Sequence, residues 1–383
     1  MKAIILLLAL AAVSYGGTVF AWGGNEYGQG SVPPEVAGAD IIALGLGSSS
    51  DHNLVMTDGG DLLAWGKEEN GQCIVPEFSV DFGTSFSTYQ YLSLSVMNNG
   101  EVEVWGQSSG SYSDYPSPYV SVSGGWSSWV GLRQSGVVTV NGSSSGVPEI
   151  LTDSTSADVA SVAAGRLHFL ALRGDSTIVA WGNSTYGQCD VPDSGPFVAV
   201  SGGGLFSVAI RESNGSIEVW GYGSAGLMAS IPSPNSGFIA VSAGDDFIVA
   251  QRSDSTLVAW GNNDHGQCNI PPALAGVPVT AFAAGSGHVI ALVAEELGID
   301  PSEPSAGQGQ LSLSAFPNPS NGYLEFSLSG GGEVDVYDVS GRIVSSVSIP
   351  QSGNVSFTAP ATGVYFASVR GSDTPATRFV IVR

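Results

Sequence analysis

The sequence predicts an all-β protein in which a seven-bladed β-propeller is followed by a small immunoglobulin-like β-sandwich. The first observation behind this prediction is composition. The 383 residues include 53 glycines, and 43% are hydrophobic but only 12% charged, which is typical of turn-rich β-structure. The second is a Trp-Gly strand motif that recurs about every 40 residues as far as residue 261. The third is the loss of this period beyond residue 310, where short strands of another kind follow.

Residues 1–16 are predicted to be a secretory signal peptide. Lys2 provides the positive charge, residues 3–13 form the apolar stretch, and the small residues Ser14 and Gly16 follow. The alternative is an N-terminal core strand, but the apolar stretch leads directly into another strand-like segment with its own role. No later segment approaches the roughly 18 uninterrupted apolar residues of a membrane span. We therefore expect a mature protein that is soluble or anchored from outside.

The repeats of residues 17–296 predict the propeller. Each repeat is marked by a Trp-Gly pair, except that one has Asn in place of Trp, and the markers lie 36 to 43 residues apart: Trp22, Trp65, Trp105, Asn141, Trp181, Trp220 and Trp260. A second apolar strand precedes most markers, as at residues 168–172 and 206–210. A period of about 40 residues is that of propeller blades, which bury their faces only against neighbouring blades. Seven markers predict seven blades.

The two ends of the repeat region are complementary. The region begins with a Trp-Gly strand at 19–23 that lacks a preceding partner, and it ends with a partner strand at 288–293 that lacks a following Trp-Gly strand. Pairing of these two strands would close the propeller and leave only short, protected edges. Deletion of the first strand should then destabilise the whole domain.

Two motifs recur in phase along the repeats. Ala-Ala-Gly-x-x-His-x-Leu-Ala-Leu occupies 163–172, and Trp-Gly-Asn-x-x-Tyr-Gly-Gln occupies 181–188, with related copies at 22–29 and 260–267. These units resemble the repeats of the regulator of chromosome condensation family over about residues 19–296, and the resemblance implies a seven-bladed propeller. That family includes a nucleotide-exchange factor that binds chromatin. The formal net charge of −23 and the lack of a basic tail argue against this activity and against any nucleic-acid partner.

The outer loops, which follow the Trp-Gly strands, form the first candidate ligand site. Repetition brings aromatic and amide side chains to equivalent positions on one propeller face, where they suit contact with a glycan or a protein: Tyr27, Asn70, Tyr186 and His265. In the alternative interpretation, the Tyr-Gly-Gln sequence only closes a turn and packs against the next blade. The second candidate lies in residues 107–129, where the repeat pattern is weakest and aromatic residues cluster: Tyr112, Tyr115, Tyr119, Trp126 and Trp129.

Other polar residues are interpreted as structural, and no catalytic residue, metal site or cofactor is predicted. The position of His168 and His288, with His52 as another equivalent, is held by Ser128, Phe206 and Phe247 in other repeats, which indicates packing. Cys73, Cys189 and Cys268 occupy non-adjacent repeats, too far apart for a disulfide or a three-cysteine metal site, and are expected to be small buried thiols. Asp245 and Asp246 are expected to be solvated turn residues.

A linker at 297–310 leads to a different module at 311–383. Its alternating pattern predicts strands at 311–315, 323–328, 333–339, 342–349, 354–359, 363–369 and 378–383. Phe-Pro-Asn-Pro-x-x-Gly at 316–322 and Val-Tyr-Asp-x-x-Gly-Arg at 336–342 resemble the C-terminal sorting domain of the type IX secretion system. The resemblance implies a Gram-negative exporter, passage through the outer membrane, removal of the tail and possible attachment to surface lipopolysaccharide. The alternative is an immunoglobulin-like adhesion module.

Together these features predict a secreted or cell-surface recognition protein that binds an extracellular glycan or protein through a propeller face. Bacterial proteins with similar repeats include a secreted inhibitor that caps an enzyme's active site, so enzyme inhibition is a special case of this prediction. An unrecognised extracellular hydrolase is the competing alternative. The other expected partner is the type IX secretion machinery.

Overall fold

The computed structural model describes residues 17–76, 82–107, 110–112, 118–126, 128–142, 150–151, 158–193, 195–294 and the strands of the C-terminal module. The predicted signal peptide and linker, and the candidate residue Tyr115, lie outside the described residues. The chain divides into two compact units, with the boundary between Glu295 and Glu296.

Antiparallel strands make up most of the first unit. They are β1 (Gly17–Gly23), β2 (Ile41–Gly45), β3 (His52–Thr57), β4 (Leu62–Gly66), β5 (Phe82–Tyr89), β6 (Leu92–Met97), β7 (Val102–Gly106), β8 (Gly110–Tyr112), β9 (Tyr119–Gly124), β10 (Ser128–Arg133), β11 (Val138–Gly142), β12 (Ile150–Leu151), β13 (Val159–Ala164), β14 (His168–Arg173), β15 (Ile178–Gly182), β16 (Phe197–Gly202), β17 (Phe206–Arg211), β18 (Ile217–Gly221), β19 (Phe238–Ala243), β20 (Phe247–Arg252), β21 (Leu257–Gly261), β22 (Val279–Ala284) and β23 (His288–Ala294). The described helices are α1 (Pro34–Ala37), α2 (Ser224–Ala229) and a 3₁₀ turn at Pro272–Leu274.

The strands form a series of small antiparallel sheets. Three sheets are simple three-stranded meanders, β13-β14-β15, β16-β17-β18 and β19-β20-β21, and two others gain a fourth strand, β5-β6-β7-β8 and β12-β11-β10-β9. In each meander the Trp-Gly strand comes last and the apolar strand lies in the middle, so that Phe169 pairs with Trp181 and Ser207 with Trp220. The middle strands are buried along almost their whole length because both of their faces are covered.

Strand β1 joins the beginning of the propeller to its end. It pairs with β23 along its full length, from Gly17 opposite Ala294 to Gly23 opposite His288. This confirms the predicted pairing of the first Trp-Gly strand with the last apolar strand. The resulting sheet has the order β22-β23-β1-β2-β3-β4, in which β1 and β2 share a single residue pair.

The hydrophobic core lies between neighbouring sheets. One cluster contains Phe206 and Ile210 of β17, Val241 of β19, Ile248 of β20 and Trp260 of β21. The six Trp-Gly tryptophans are all buried, as expected for residues that fill the space between sheets. Several of their indole N–H groups also donate hydrogen bonds to the outer loop of the preceding sheet, among them Trp22 to the Gln267 carbonyl at 3.0 Å and Trp220 to that of Gln188 at 2.9 Å.

The C-terminal unit contains the seven predicted strands with small shifts at their ends: β24 (Leu313–Phe316), β25 (Tyr323–Leu328), β26 (Gly332–Asp338), β27 (Ile343–Ile349), β28 (Asn354–Thr358), β29 (Gly363–Val369) and β30 (Thr377–Ile381). They form two antiparallel sheets, β24-β25-β28 and β27-β26-β29-β30. Val336, at the centre of β26, is fully buried.

Candidate ligand-binding face

A buried glutamine fixes the turn at each of the four predicted outer-loop positions. Its side-chain oxygen accepts the backbone N–H of the residue two places earlier, at 2.8 to 3.0 Å: Gln29 from Tyr27, Gln72 from Asn70, Gln188 from Tyr186 and Gln267 from His265. The glycine between each such pair has a φ near +80°, a backbone conformation that only glycine adopts without strain. The Gly-Gln part of the motif is therefore scaffold, and the residue before it is held in one orientation.

The side chains at these four positions differ in exposure. Tyr186 is 50% exposed and Tyr27 is 37% exposed. His265 is also exposed, whereas Asn70 is half-buried. The structure thus places the four residues in equivalent turns but leaves three of them well exposed for contact with a ligand.

Tyr186 has an aromatic neighbour that the repeat pattern did not reveal. The ring of Tyr222, in the outer loop of the next sheet, lies 5.1 Å from that of Tyr186 in an edge-to-face arrangement. Tyr222 is 58% exposed, and Met228 on α2, in the same loop, is also exposed. A signal was present in the sequence: after Trp220 and Gly221 the Asn-x-x-Tyr-Gly-Gln pattern is lost, and this departure marks the aromatic pair.

The Tyr27 ring contacts a cation from the next repeat. The Lys67 ammonium lies 4.6 Å from the Tyr27 ring centre and 5.5 Å from that of Tyr91, and it pairs with Glu69 at 3.5 Å. Burial lowers the pKa of Lys67, but the contacts with Tyr27 and Glu69 outweigh this effect and leave the pKa above its ordinary value. A ligand at Tyr27 would therefore contact a charged lysine as well as an aromatic ring.

The second candidate region divides between core and surface. Trp129 is only 1% exposed and packs edge-to-face on Tyr119 at 5.7 Å, so it cannot contact a ligand and we remove it from the candidate surface. The backbone of Tyr112 belongs to β8. Trp126 is half-buried, and the Arg166 guanidinium lies over its ring at 4.0 Å.

Trp126 belongs to a group of inner turns, which join the first and second strands of the sheets. These turns are linked by backbone hydrogen bonds from Trp126 to Arg166 at 3.1 Å, from Arg166 to Gly203 at 3.1 Å, from Gly204 to Asp245 at 3.0 Å and from Ser286 to Ser50 at 2.9 Å. Side chains add two further links, from the Ser49 hydroxyl to Asp245 at 2.8 Å and from the Ser286 hydroxyl to Asp51. We call the linked turns the inner-turn cluster.

The inner-turn cluster and the outer loops belong to the same face of the propeller. In the outer loops that the structure describes, the first residue donates its N–H to the inner turn of the same repeat, as from Lys67 to Asp51 at 3.0 Å and from Asn262 to Asp246 at 2.9 Å. Tyr222 likewise donates to Leu205 at 2.9 Å. The inner turns therefore lie at the centre of the face that the outer loops surround.

Asp245 departs from the sequence prediction. Asp246 is exposed, as expected for a solvated turn residue, but Asp245 is largely buried within the inner-turn cluster. Burial raises the pKa of Asp245 to about 6; the Ser49 hydrogen bond and Arg166 lower it, whereas the charges of Asp246 and Asp51 raise it further. The prediction was wrong for Asp245 because its burial depends on sheets that are distant in sequence.

The three structural histidines are buried, as predicted, and they connect neighbouring repeats. The Nε2 atom of each bonds to a polar residue of the next repeat: His52 to Ser93 at 2.8 Å, His168 to Ser207 at 2.9 Å and His288 to Asn53 at 2.8 Å. Burial lowers their pKa values to about 3, about 4 and about 3. All three are therefore neutral at physiological pH and have a packing role.

The cysteines are free but half-buried rather than buried as predicted. Their thiols donate to backbone carbonyls of their own loops at 3.3 to 3.5 Å. Burial raises the pKa of all three thiols, that of Cys268 to about 11, so the reactive thiolate is disfavoured. Within the described part of the chain, no group of three or more His, Cys, Asp or Glu side chains is arranged to hold a metal ion.

Both units contain segments that match known families. Residues 314–383 match the secretion system C-terminal sorting domain, and residues 159–188 and 238–267 match the regulator of chromosome condensation (RCC1) repeat. The solved structure of Prp20p from Saccharomyces cerevisiae is similar, with a TM-score of 0.64 and 15% sequence identity, over 77% of this chain and 96% of that one. This chain joins an RCC1-type propeller to a type IX sorting tail.

Other solved structures share the fold of the RCC1-type propeller. Human WBSCR16 has a TM-score of 0.58 and 17% identity, over 73% of this chain and 99% of that one. The CRINKLY ectodomain of the Arabidopsis thaliana receptor kinase ACR4 has a TM-score of 0.51 and 21% identity, over 65% of this chain and 93% of that one. No curated protein matches the sequence. The sorting tail indicates a secreted or cell-surface protein, and in the described residues no helix is long and apolar enough to span a membrane.

Proposed function

We propose that this chain is an extracellular recognition protein that binds a glycan or a protein partner through the face formed by its outer loops and inner turns. The propeller would have seven blades, with residues 17–296 as its domain, after removal of a signal peptide at 1–16. A linker at 297–310 would lead to the tail at 311–383, an immunoglobulin-like sandwich. The tail would be removed after export across the outer membrane of a Gram-negative cell, with attachment of the mature protein to lipopolysaccharide as one possible end state.

The observation that carries this proposal is the exposed pair of Tyr186 and Tyr222. Large aromatic side chains are normally covered, and an edge-to-face pair held on two adjacent loops presents rigid apolar area with little entropy to lose on binding. Tyrosine rings stack on the C–H faces of sugars and also act as hot spots in protein interfaces. The fixed turn around Gln188 supports the proposal, because it orients Tyr186 before any ligand arrives.

Two further observations favour binding over catalysis. Burial keeps the three structural histidines neutral and the thiols protonated, which makes the histidines poor acids and the thiols poor nucleophiles. The similar yeast protein Prp20p is described by its binding to Gsp1p and histones, and ACR4 contributes a receptor ectodomain. Inhibition of an enzyme by this face would be one form of such binding.

The proposal is tested by measuring ligand binding to the full chain and to a Tyr186→Ala, Tyr222→Ala double variant. Both proteins are screened on a glycan array and against purified extracellular proteins. Val120→Ala is the matched control, because Val120 is also an exposed apolar residue but belongs to β9 rather than to an outer loop. A ligand bound about tenfold or more weakly by the double variant alone would support the site. Equal binding by all three proteins, or hydrolysis of a bound glycan, would contradict it.

A further inference from the structure

We propose that a surface cavity beside the β17–β18 hairpin is a second binding site, which takes a neutral sugar unit such as a hexose at the end of a glycan. The cavity has a volume of about 310 Å³. Its lining includes the ion pair of Arg211 and Glu218, the amide of Asn214, the hydroxyl of Ser216 and the thioether of Met228. The inference goes beyond the proposed function, because neither tyrosine of the exposed pair lines this cavity.

The cavity lies at the end of the sheet opposite to the outer loop. Strands β17 and β18 are joined by a turn at residues 212–216, which lines the cavity, whereas Tyr222 follows the other end of β18. Met228 of α2 and Asn235, from the segment that follows, complete the lining. The Asn235 side chain accepts the N–H of Ile217 at 2.8 Å and donates to the carbonyl of Ile217 at 3.1 Å, which holds it against the start of β18. A sugar bound here would leave the outer loops free for another ligand.

The first argument is the match between the cavity and a sugar. Ligand pockets in proteins begin at about 300 Å³, so this cavity suits a single sugar unit rather than a long chain. The charges in its lining cancel, because the Arg211 guanidinium donates to the Glu218 carboxylate at 2.5 Å. A charged ligand would have to compete with this ion pair. The hydroxyl groups of a neutral sugar can instead donate to the carboxylate and accept from the guanidinium while the pair stays intact.

The second argument is the unused hydrogen-bonding capacity of a fixed turn. The Asn214 side-chain oxygen accepts the backbone N–H of Ser216 at 3.0 Å, and backbone carbonyls of the turn accept from Gly237 at 2.9 Å and Phe238 at 3.0 Å. The side-chain NH₂ group of Asn214 and the hydroxyl of Ser216 have no hydrogen-bond partner among the described residues. Both can therefore bind a ligand hydroxyl without breaking an existing bond. The Met228 side chain, which is 36% exposed, can contact the C–H face of the same sugar ring.

The third argument is that the ion pair departs from the repeat pattern. Each of the three-stranded sheets has an arginine at the end of its middle strand. In the position of Glu218, however, the other two of these sheets have Val179 and Val258. The Glu218 side chain is only 18% exposed, and a glutamate that is largely covered stabilises a sheet less than a valine at the same place. Such a departure is expected where a residue serves a ligand rather than the fold.

The test uses the full chain and the methyl glycosides of glucose, galactose, mannose and N-acetylglucosamine, with binding followed by saturation-transfer difference NMR. The main variant is Asn214→Asp, which keeps the oxygen that accepts from Ser216 and replaces the N–H donors with a second oxygen. The β14–β15 turn is already built on an aspartate, Asp175, which accepts the N–H of Thr177 at 3.0 Å, so the variant should fold normally. Asn99→Asp makes the same change in the exposed β6–β7 turn and is the matched control.

We expect at least one of the four glycosides to bind the wild type. The same glycoside should bind Asn214→Asp about fivefold more weakly, because the hydrogen-bond donors of the amide are lost. Its affinity for Asn99→Asp should change less than about twofold. Met228→Ala should weaken binding about threefold with an unchanged melting temperature, since this side chain is exposed and does not take part in the turn.

Several results would overturn the proposal. They are the absence of measurable binding of all four glycosides, equal weakening by Asn214→Asp and Asn99→Asp, or stronger binding of glycine or acetate than of any glycoside. The Tyr186→Ala, Tyr222→Ala variant should bind the glycoside like the wild type. Loss of sugar binding in that variant would place the sugar at the outer loops, which would contradict this site but support the proposed function.

Discussion

At the scale of single residues, the three buried histidines act as neutral hydrogen-bond donors. The hydroxyl of Ser207 already donates to the Gln188 carbonyl at 2.8 Å, so it accepts from Nε2 of His168. Ser93 makes the same pair of contacts with Gln72 and His52, and the Asn53 amide makes a corresponding pair with Gln29 and His288. These contacts assign the Nε2-protonated form to each ring. Each histidine is thus connected, through one polar side chain of the next repeat, to the backbone carbonyl of a glutamine in an outer loop.

Because the folded protein keeps these histidines neutral, acid should destabilise it. Their pKa values of about 3 to 4 lie below the ordinary 6.5, so the unfolded chain takes up protons first as the pH falls. Their contribution to stability is complete above about pH 6.5 and is lost progressively towards pH 4 and below. We expect the urea midpoint of the wild type to fall between about pH 7.5 and pH 4.5.

The controls for this pH effect are single replacements. Between these two pH values the urea midpoint of His168→Phe should fall less than that of the wild type, because one of the three titrating groups is removed. Replacement of the exposed His265 by Gln is the matched control, because it also removes an imidazole but not a buried one. If the urea midpoints of the wild type and His168→Phe fall equally with pH, His168 does not contribute to the pH dependence of stability.

At the scale of strands and sheets, the first residue of the middle strand is in most repeats a histidine or a phenylalanine. The side chain that it contacts in the next sheet, polar or apolar, determines which. His168 faces Ser207, whereas Phe206 packs with Ile248 and Phe247 packs with Val289 in apolar clusters. The ring sits over a glycine in either case: Gly165 adjoins the ring of His168, as Gly203 adjoins that of Phe206. The choice of ring is therefore set by the pairing of two neighbouring strands.

This pairing predicts compensation between His168 and Ser207. Ser207→Val leaves the buried Nε2–H of His168 without an acceptor, and His168→Phe removes the same bond, so each should cost about 1–3 kcal/mol. The double variant recreates the apolar pairing of the next sheets, and the Trp220 indole still satisfies the Gln188 carbonyl. Urea unfolding should give a double variant more stable than the sum of the single changes by about 0.5–3 kcal/mol. Strictly additive losses would contradict the idea of paired positions.

The sequence predicted the strands, because the patterns that specify them are local or repeat along the chain. The Trp-Gly strands, the strands that pair with them and the strands of the tail follow from local alternation and from a period near 40 residues. The sequence did not predict the ring pairing of Tyr222 or the burial of Asp245, because each depends on a neighbour in another sheet. Asp245 is covered through Ser49, a residue 196 positions away, and no local pattern contains that contact. The partial exposure of Cys268 likewise depends on how its loop lies against the next sheet.

At the scale of the whole molecule, the pairing of β1 with β23 predicts that a small deletion has a large effect. Removal of Gly17–Gly23 takes away the full-length partner of β23 and the buried side chains of Val19 and Trp22. Loss of a buried tryptophan alone costs about 3–5 kcal/mol, so the variant should lose at least that much stability. Calorimetry should show a large fall in the melting temperature of the propeller. A synthetic peptide of the deleted sequence should restore part of it, and an unchanged melting temperature would contradict the role of β1.

The same pairing has a consequence for how the protein matures. Trp22 and the carbonyl of Gln267 to which it bonds are 245 residues apart, and β23 lies further along still. Contacts so distant in sequence form late, because a long stretch of chain must be ordered before its ends meet. A chain cut short before residue 288 keeps β1 without its partner and exposes an unpaired strand to proteases and to other chains. Completion of this sheet therefore distinguishes finished molecules from truncated ones before they encounter a ligand.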